Sequence, residues 1–412
     1  MPKSDLADET KTEMEQAGTA DLLIGVSGVV NVPELQQQAQ VLLKNLQESA
    51  GISRIVITYP ENEAIAEKVE DADSGFKPFP LATADPSSPP WVVASSAQRA
   101  IFSLAVELNA KACVVVHSDL TMLSANHLHL LMQPILEQQC DLTLPIYPSR
   151  KFDGLLNHSI LAPLVRTLYG PRVKYPLAQD LGCSARMFQQ MSGQPTVRER
   201  AEGALLWPAV HAATCGYRVC QANVDVHHAT QTEGLELSDV LASVAGAAFA
   251  EMETYAPFWQ RVRSSQPTAT SGNLVQQISE GELVDAKPLC DSFLLGSRNL
   301  QEIWSLVLPP VTLLELKKLA RCSPDAFRMP DELWVRIIYD FALAYRLRTI
   351  NRGHLMGALT PLYLGWVASY VQEVASQSPQ AAEQRFERLA RAYEEGKPYL
   401  VSRWRWPDRF NP

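Results

Sequence analysis

Four clusters of polar residues in this 412-residue chain sit where a reacting or binding group would be useful. The first is His117-Ser118-Asp119, directly after the apolar run Ala112-Cys-Val-Val-Val116. A carboxylate at the end of a buried strand is placed to hold a divalent cation, and hard oxygen ligands suit Mg2+ or Mn2+. Such a cation neutralises a leaving diphosphate. On these three residues alone, Asp119 as the cap of a following turn or helix is the favoured reading. The second cluster is Val226-His227-His228, where a histidine after a late strand could ligate a metal or contact a phosphate. An ordinary surface or core histidine pair is the plainer reading, unless Asp119 and a histidine converge on one metal. The third is Arg150-Lys151-Phe152-Asp153, two cations that could bind the carboxylate or phosphate of an acceptor, or simply line a solvated loop. The fourth is Pro176 to Ser184, in which Asp180 or Ser184 is either functional or a helix cap.

The elements that must carry these clusters follow from hydrophobic patterning. Short apolar runs at 21–27, 52–59, 112–116 and 141–147 read as strands, with a late strand at 217–226. Helical patterns at 35–50, 98–109 and 126–138 alternate with them, which implies a parallel sheet. Ligands of such sheets bind at the carboxyl ends of the strands, and Asp119 and Tyr147 both fall there. The Pro- and Ser-rich stretch 71–90 reads as a loop. Residues 155–169 and 235–262 read as helices, and 266–273 as a linker candidate. From Leu300 onward the pattern is helical, punctuated by Pro309, Pro310, Pro330 and Pro361.

Composition narrows the class. The chain is 46% hydrophobic and 20% charged, which is ordinary globular usage. A net charge of −9 argues against a nucleic-acid partner, which needs a positive footprint. The seven cysteines form no CxxC pair and read as reduced, buried thiols of a cytoplasmic protein rather than disulfides or a zinc site. No apolar run reaches the roughly 18 residues of a membrane span, and the polar N-terminus lacks the core of a secretory signal. The sequence contains no P-loop, GxGxxG or GxSxG motif. Arg403-Trp-Arg-Trp406 could stack on a sugar or a base, but packing of the C-terminus onto the body accounts for it more simply.

The order of segments resembles that of bacterial GT-A-fold glycosyltransferases of the glucosyl-3-phosphoglycerate synthase and mannosylglycerate synthase type. The blocks that carry the resemblance are Ala20 to Val26, Ala112 to Leu120, Leu144 to Asn157, Ala162 to Gly170 and Tyr175 to Ser184, then Thr360 to Gly365 and Glu395 to Trp404. The resemblance implies an α/β fold: a GT-A-like nucleotide-diphospho-sugar transferase sheet domain with a helical C-terminal domain. The corresponding domains are a disordered tail at 1–20, a sheet domain at 21–263, a linker region at 264–299 and a helical domain at 300–412.

The resemblance also implies an activity. Such enzymes transfer a hexose from a nucleotide-sugar donor to a small anionic acceptor such as glycerate or phosphoglycerate, with retention and with a divalent metal, Mg2+ or Mn2+. It assigns the metal to Asp119 and His228, and the donor to Ser27, Tyr59 and Asp119. It assigns the acceptor to Arg150, Lys151, Asp153 and Asn157, and catalysis to Asp180 and Glu202. Assembly as a homo-oligomer is compatible with it. The chain departs from the family pattern on the donor side. His117 stands where the first aspartate of the DxD motif is expected, and Val226 where a lysine is expected. Leu205 stands where an acidic residue is expected, with Glu202 close by. The turns after the first two strands read Ser27-Gly-Val-Val-Asn31 and Tyr59-Pro-Glu-Asn62. These departures keep a second class open, a non-catalytic relative acting as a binding or regulatory subunit.

Overall fold

The computed structural model describes residues 19–27, 44, 52, 54–60, 79–81, 90–117, 125–193, 205–225, 236–273, 278–323 and 326–407. They fall into two compact units that interleave along the chain. A sheet unit takes residues 1–148, 175–228 and 267–275, and a helical unit takes 149–174, 229–266 and 276–412. In chain order the sheet unit opens with β1 (Leu22–Val26), β2 (Ile55–Pro60), β3 (Phe79–Leu81), α1 (Pro90–Glu107), β4 (Ala112–Val116), α2 (Ala125–Leu136) and β5 (Leu142–Ile146). The helical unit then takes β6 (Ser149–Arg150) and α3 (Ala162–Tyr169), the latter entered through a π-helical turn at Asn157–Leu161. The sheet unit resumes with β7 (Leu181–Ser184), α4 (Ala185–Ser192), α5 (Pro208–Thr214) and β8 (Val219–Asn223). After α6 (Leu237–Thr254) and α7 (Ala256–Trp259) of the helical unit, β9 (Ala269–Ser271) returns to the sheet. The rest is helical-unit chain: β10 (Ile278–Ser279), α8 (Lys287–Asn299), α9 (Gln301–Val307), α10 (Pro310–Leu319), α11 (Asp331–Leu347), α12 (Arg352–Val374) and α13 (Pro379–Arg405).

The α/β class, the mainly parallel sheet and the helical C-terminal region agree with the expectation from patterning. The strand order is β3-β2-β1-β4-β7-β5-β8-β9. β7 alone runs against its neighbours β4 and β5, and the other seven strands share one direction. Strands β1, β4 and β5 are buried along their whole length, which is why they read as unbroken apolar runs. Leu22, Ile24 and Val26 of β1 and Val114 and Val116 of β4 join Leu128, Leu131, Met132 and Ile135 of α2 in one core cluster. Period two on the strands meets the i, i+3, i+4, i+7 stripe of the helix there.

The domain boundaries expected at 263 and 300 do not coincide with those of the two units. Residues 149–174 and 229–266 belong to the helical unit, and the expected linker contains β9 of the sheet, β10 and all of α8. Segment 149–174 is tied into the helical unit by buried polar contacts. Trp334 Nε1 (3.1 Å) and the Tyr393 hydroxyl (2.7 Å) both donate to the Ser159 carbonyl. Arg166 forms ion pairs with Glu387 (2.6 Å) and Glu394 (3.0 Å) of α13. The Lys397 ammonium donates to the carbonyls of Thr167 (2.8 Å) and Val262 (2.7 Å). Of the expected tail at 1–20, only residues 19 and 20 are described, and Ala20 is buried with its N–H on the Leu108 carbonyl. The helix expected at 35–50 lies outside the described residues apart from Lys44.

Pro361, read as a break, lies inside α12. Proline costs a helix one hydrogen bond and a clash with the preceding turn, and burial of the surrounding turns offsets that cost. The ring is seated where α8 comes close: a Cβ at Gly296 would lie 2.5 Å from Pro361 Cβ, so only glycine allows this approach. Pro398 is likewise carried inside α13. No helix among the described residues is long and apolar enough to cross a membrane. All seven cysteines are free thiols; Cys215 and Cys322 are exposed and the other five are buried.

The helical unit contains a buried acid with a pH signature. Asp340 of α11 is almost wholly enclosed, accepts the Tyr399 hydroxyl at 2.9 Å and pairs with Arg403 at 3.2 Å. Burial pushes its carboxyl up to about 7, against the pull of Arg403 and Tyr399. A carboxyl raised in the folded state stabilises fully below its unfolded value of about 3.9, and that contribution is lost as pH rises through the folded value. Stability should therefore slope downward between about pH 4 and pH 7 on account of this group. Asp340→Asn should flatten that slope, as read from urea unfolding across the range.

Candidate functional site

Four strand boundaries meet in one hydrogen-bonded network at the carboxyl edge of the sheet. The strand order turns at β1: β2 and β3 lie on one side and β4 on the other. Open α/β sheets take ligands outside the carboxyl ends of their strands, at the point where the strand order reverses. Ser27 directly follows β1 and His117 directly follows β4. The Ser27 hydroxyl lies 3.2 Å from His117 Nδ1 and 3.3 Å from the Val116 carbonyl, and the Ser27 N–H donates to that carbonyl at 2.8 Å. The two strand ends are thus tied to each other at that reversal point.

Asp180 lies immediately before β7. Because β7 is antiparallel, its N-terminal end reaches the edge where the parallel strands terminate. The carboxylate is completely buried. Its Oδ1 accepts the His117 N–H at 2.7 Å, and its Oδ2 accepts the Tyr147 hydroxyl at 2.9 Å. Tyr147 directly follows β5, is buried, and meets Tyr175 edge to face at 5.1 Å between ring centroids. On the far side, His127 Nε2 of α2 lies 3.7 Å from Asp180 Oδ2. One carboxylate therefore serves the ends of β4 and β5 and the first turns of α2. Gln98 of α1 steadies the approach to it by donating to the Gln179 carbonyl at 3.3 Å.

The protonation states follow from burial. Burial, then the negative charge and hydrogen bond of Asp180, push the Tyr147 phenol well above its ordinary value, so it is a permanent donor. Burial also lowers the His127 imidazole, against the pull of Asp180 and Asp225. A buried carboxylate with its oxygens already accepting from the protein is suited to holding surrounding chain in place.

The sequence-derived candidates separate as follows. Ser27 and Asp180 are brought into one network, and it includes His117, which patterning placed beside Asp119. Tyr59 ends β2 inside the core cluster. Asp119, Glu202 and His228 lie outside the described residues. Among the described residues no group of three or more His, Cys, Asp or Glu side chains is arranged to hold a metal ion.

The four acceptor candidates belong to the helical unit, and three are engaged within it. Lys151 is buried, and its ammonium lies 2.8 Å from the Gln377 carbonyl, 3.4 Å from those of Val374 and Ala375, and 2.7 Å from Glu280. It caps the negative end of α12, so it is not a spare cation for an acceptor. Asp153 accepts the Arg150 N–H at 2.9 Å and closes a turn. Asn157 donates to the Lys174 carbonyl at 2.6 Å. Arg150 is exposed and forms no side-chain ion pair among the described residues. Lys151→Met should lower stability by about 2 kcal/mol, the scale of a hydrogen-bonded charged group, as measured by urea unfolding.

Two members of the network carried little signal in the sequence. Tyr147 was marked only by its position at a strand end, and His127 lies among the apolar residues of an amphipathic helix. No family model matches this sequence, and no curated protein matches it.

Proposed function

We propose that this chain is a glycosyltransferase of GT-A-like architecture that binds a nucleotide sugar at the carboxyl edge of its sheet and transfers the hexose to a small anionic acceptor. The observation that carries this reading is the point where the strand order turns, with Ser27 and His117 joined there and the His117 N–H held by the buried Asp180. A sheet with a single reversed strand between β4 and β5 is compatible with that architecture. The block order from Ala112 to Ser184 supports the same family resemblance. On that resemblance Asp119, two residues beyond His117, and His228, three beyond Asp225, would hold Mg2+ or Mn2+; the metal would supply charge neutralisation at the diphosphate.

A second reading, a relative that binds without catalysing, is favoured by one observation. His117 occupies an expected metal-site position, yet its ring faces Ser27 Oγ. One experiment separates the two. UDP-, GDP- and ADP-glucose are titrated with and without Mn2+, and any donor that binds is then incubated with glycerate or 3-phosphoglycerate. Manganese-dependent binding with product formation supports the enzyme; binding without turnover of either acceptor supports the second reading. Asp119→Ala should weaken manganese-dependent binding at least tenfold, which corresponds to about 1.4 kcal/mol. Equal binding by wild type and variant removes Asp119 from the site.

A further inference from the structure

We propose that Tyr147 is a positioning residue for the nucleotide site: through Asp180, its hydroxyl holds the His117 backbone at the end of β4. The proposal rests on the donor-site reading above, and it assigns a role to a buried side chain.

The geometry supplies the linkage. Asp180 uses its two oxygens on two different strand ends, Oδ1 on the His117 N–H and Oδ2 on the Tyr147 hydroxyl. A planar carboxylate held at both oxygens cannot rotate without losing one of the two bonds. The Tyr147 ring is itself immobilised, buried at the end of β5 and packed edge to face on Tyr175. The orientation of the last amide of β4 is thereby referred to the rigid end of β5, across the intervening strand β7. The residue so oriented is also the one whose ring meets Ser27, so Asp180 and Ser27 fix His117 by backbone and by side chain. The enclosed carboxylate makes each contact strong and its loss costly, because no water replaces the missing donor.

The test separates positioning from bulk stability. UDP, GDP and ADP are each titrated calorimetrically with Mn2+ into wild type, Tyr147→Phe, Asp180→Asn and Tyr339→Phe, well below the unfolding temperature of each. Tyr147→Phe keeps the ring and its packing and removes one hydroxyl. Tyr339→Phe is the control: it removes an equally buried hydroxyl bond, to the Tyr393 carbonyl at 2.6 Å in the helical unit. The expected result is at least tenfold weaker nucleotide binding for Tyr147→Phe and Asp180→Asn, and wild-type affinity for Tyr339→Phe at a similar loss of melting temperature. Deuterium uptake by the peptide spanning 112–117 should rise in the first two variants and stay unchanged in the third. Should Asp180→Asn fail to fold, Tyr147→Phe decides the outcome. Wild-type affinity in Tyr147→Phe overturns the proposal, and so does a loss that merely tracks melting temperature in all variants. If wild type binds none of the three nucleotides, the donor-site reading fails and the proposal falls with it.

Discussion

Gly182→Ala should destabilise the sheet unit by about 3 kcal/mol or more, at the upper end of what overpacking costs. A Cβ at this position would lie 2.2 Å from the Leu131 carbonyl oxygen and 3.0 Å from its carbonyl carbon. Both are backbone atoms of α2, so relief requires the helix to move rather than a side chain to swing away. That helix presents Leu128, Leu131, Met132 and Ile135 to the core, and lifting it opens the packing of all four. The measurement is urea unfolding, followed by tryptophan fluorescence and far-UV circular dichroism. Gly193→Ala is the matched control, because its nearest neighbours would be 3.8 Å away. Equal midpoints for the two variants would show that α2 is not seated as closely on β7 as described. Gly182 lies two residues after Asp180, so a partly folded Gly182→Ala protein should also have a disturbed carboxyl edge.

Arg385→Met should cost the helical unit about 3–5 kcal/mol, the range for breaking a buried ion pair from one side. Arg385 is almost fully enclosed and meets Asp331 through two parallel bonds of 2.8 and 2.6 Å, with Nε on Glu373 at 2.6 Å. These contacts join the start of α11, the end of α12 and the early part of α13. Glu373 retains Arg388 after the substitution, whereas Asp331 loses its forked partner. Burial already raises the Asp331 carboxyl in spite of Arg385, so without the cation it should take up a proton more readily still. The cost should therefore shrink as pH is lowered. Replacing Arg385 and Asp331 together by Met and Leu should recover much of the loss, because an apolar pair of similar volume tolerates the site. A single variant that melts like wild type would show the cluster to be solvated.

The sequence was legible where burial is two-sided. The strands expected at 21–27, 52–59, 112–116, 141–147 and 217–226 correspond to β1, β2, β4, β5 and β8. Strands β3, β7 and β9 span only three or four residues, and no apolar run of that length stands out. β7 is Leu181-Gly-Cys-Ser184, whose small residues exist for the close approach of α2 and read as a turn. α1 begins at Pro90, inside a stretch that looked like loop because of its proline and serine content. The site divides the same way. Ser27 and Asp180 could be placed from strand ends and block order, while the partners of Asp180 depend on which way β7 runs. Lys151 shows the converse: beside a strand end in sequence it looks like a ligand contact, but in three dimensions it completes a helix terminus more than 220 residues later.

The interleaving of the two units constrains how this chain is made. During synthesis residues emerge in order, and a sheet domain can ordinarily close once its last strand has left the ribosome. Here β9, paired with β8 through Cys220 and Ala269, is not available until residue 271, after α3, α6 and α7 of the other unit have already emerged. Segment 149–174 waits longer still, since Arg166 and Lys397 find their partners across separations of 221 to 230 residues. Such distant closures are slow to form and leave apolar surface uncovered meanwhile. A fragment cut at residue 263 lacks β9, and one beginning at residue 300 lacks α3, α6 and α8. Neither piece should reach the native packing of its unit, and recombinant production should succeed only with both stretches in one polypeptide or co-expressed as complementing halves.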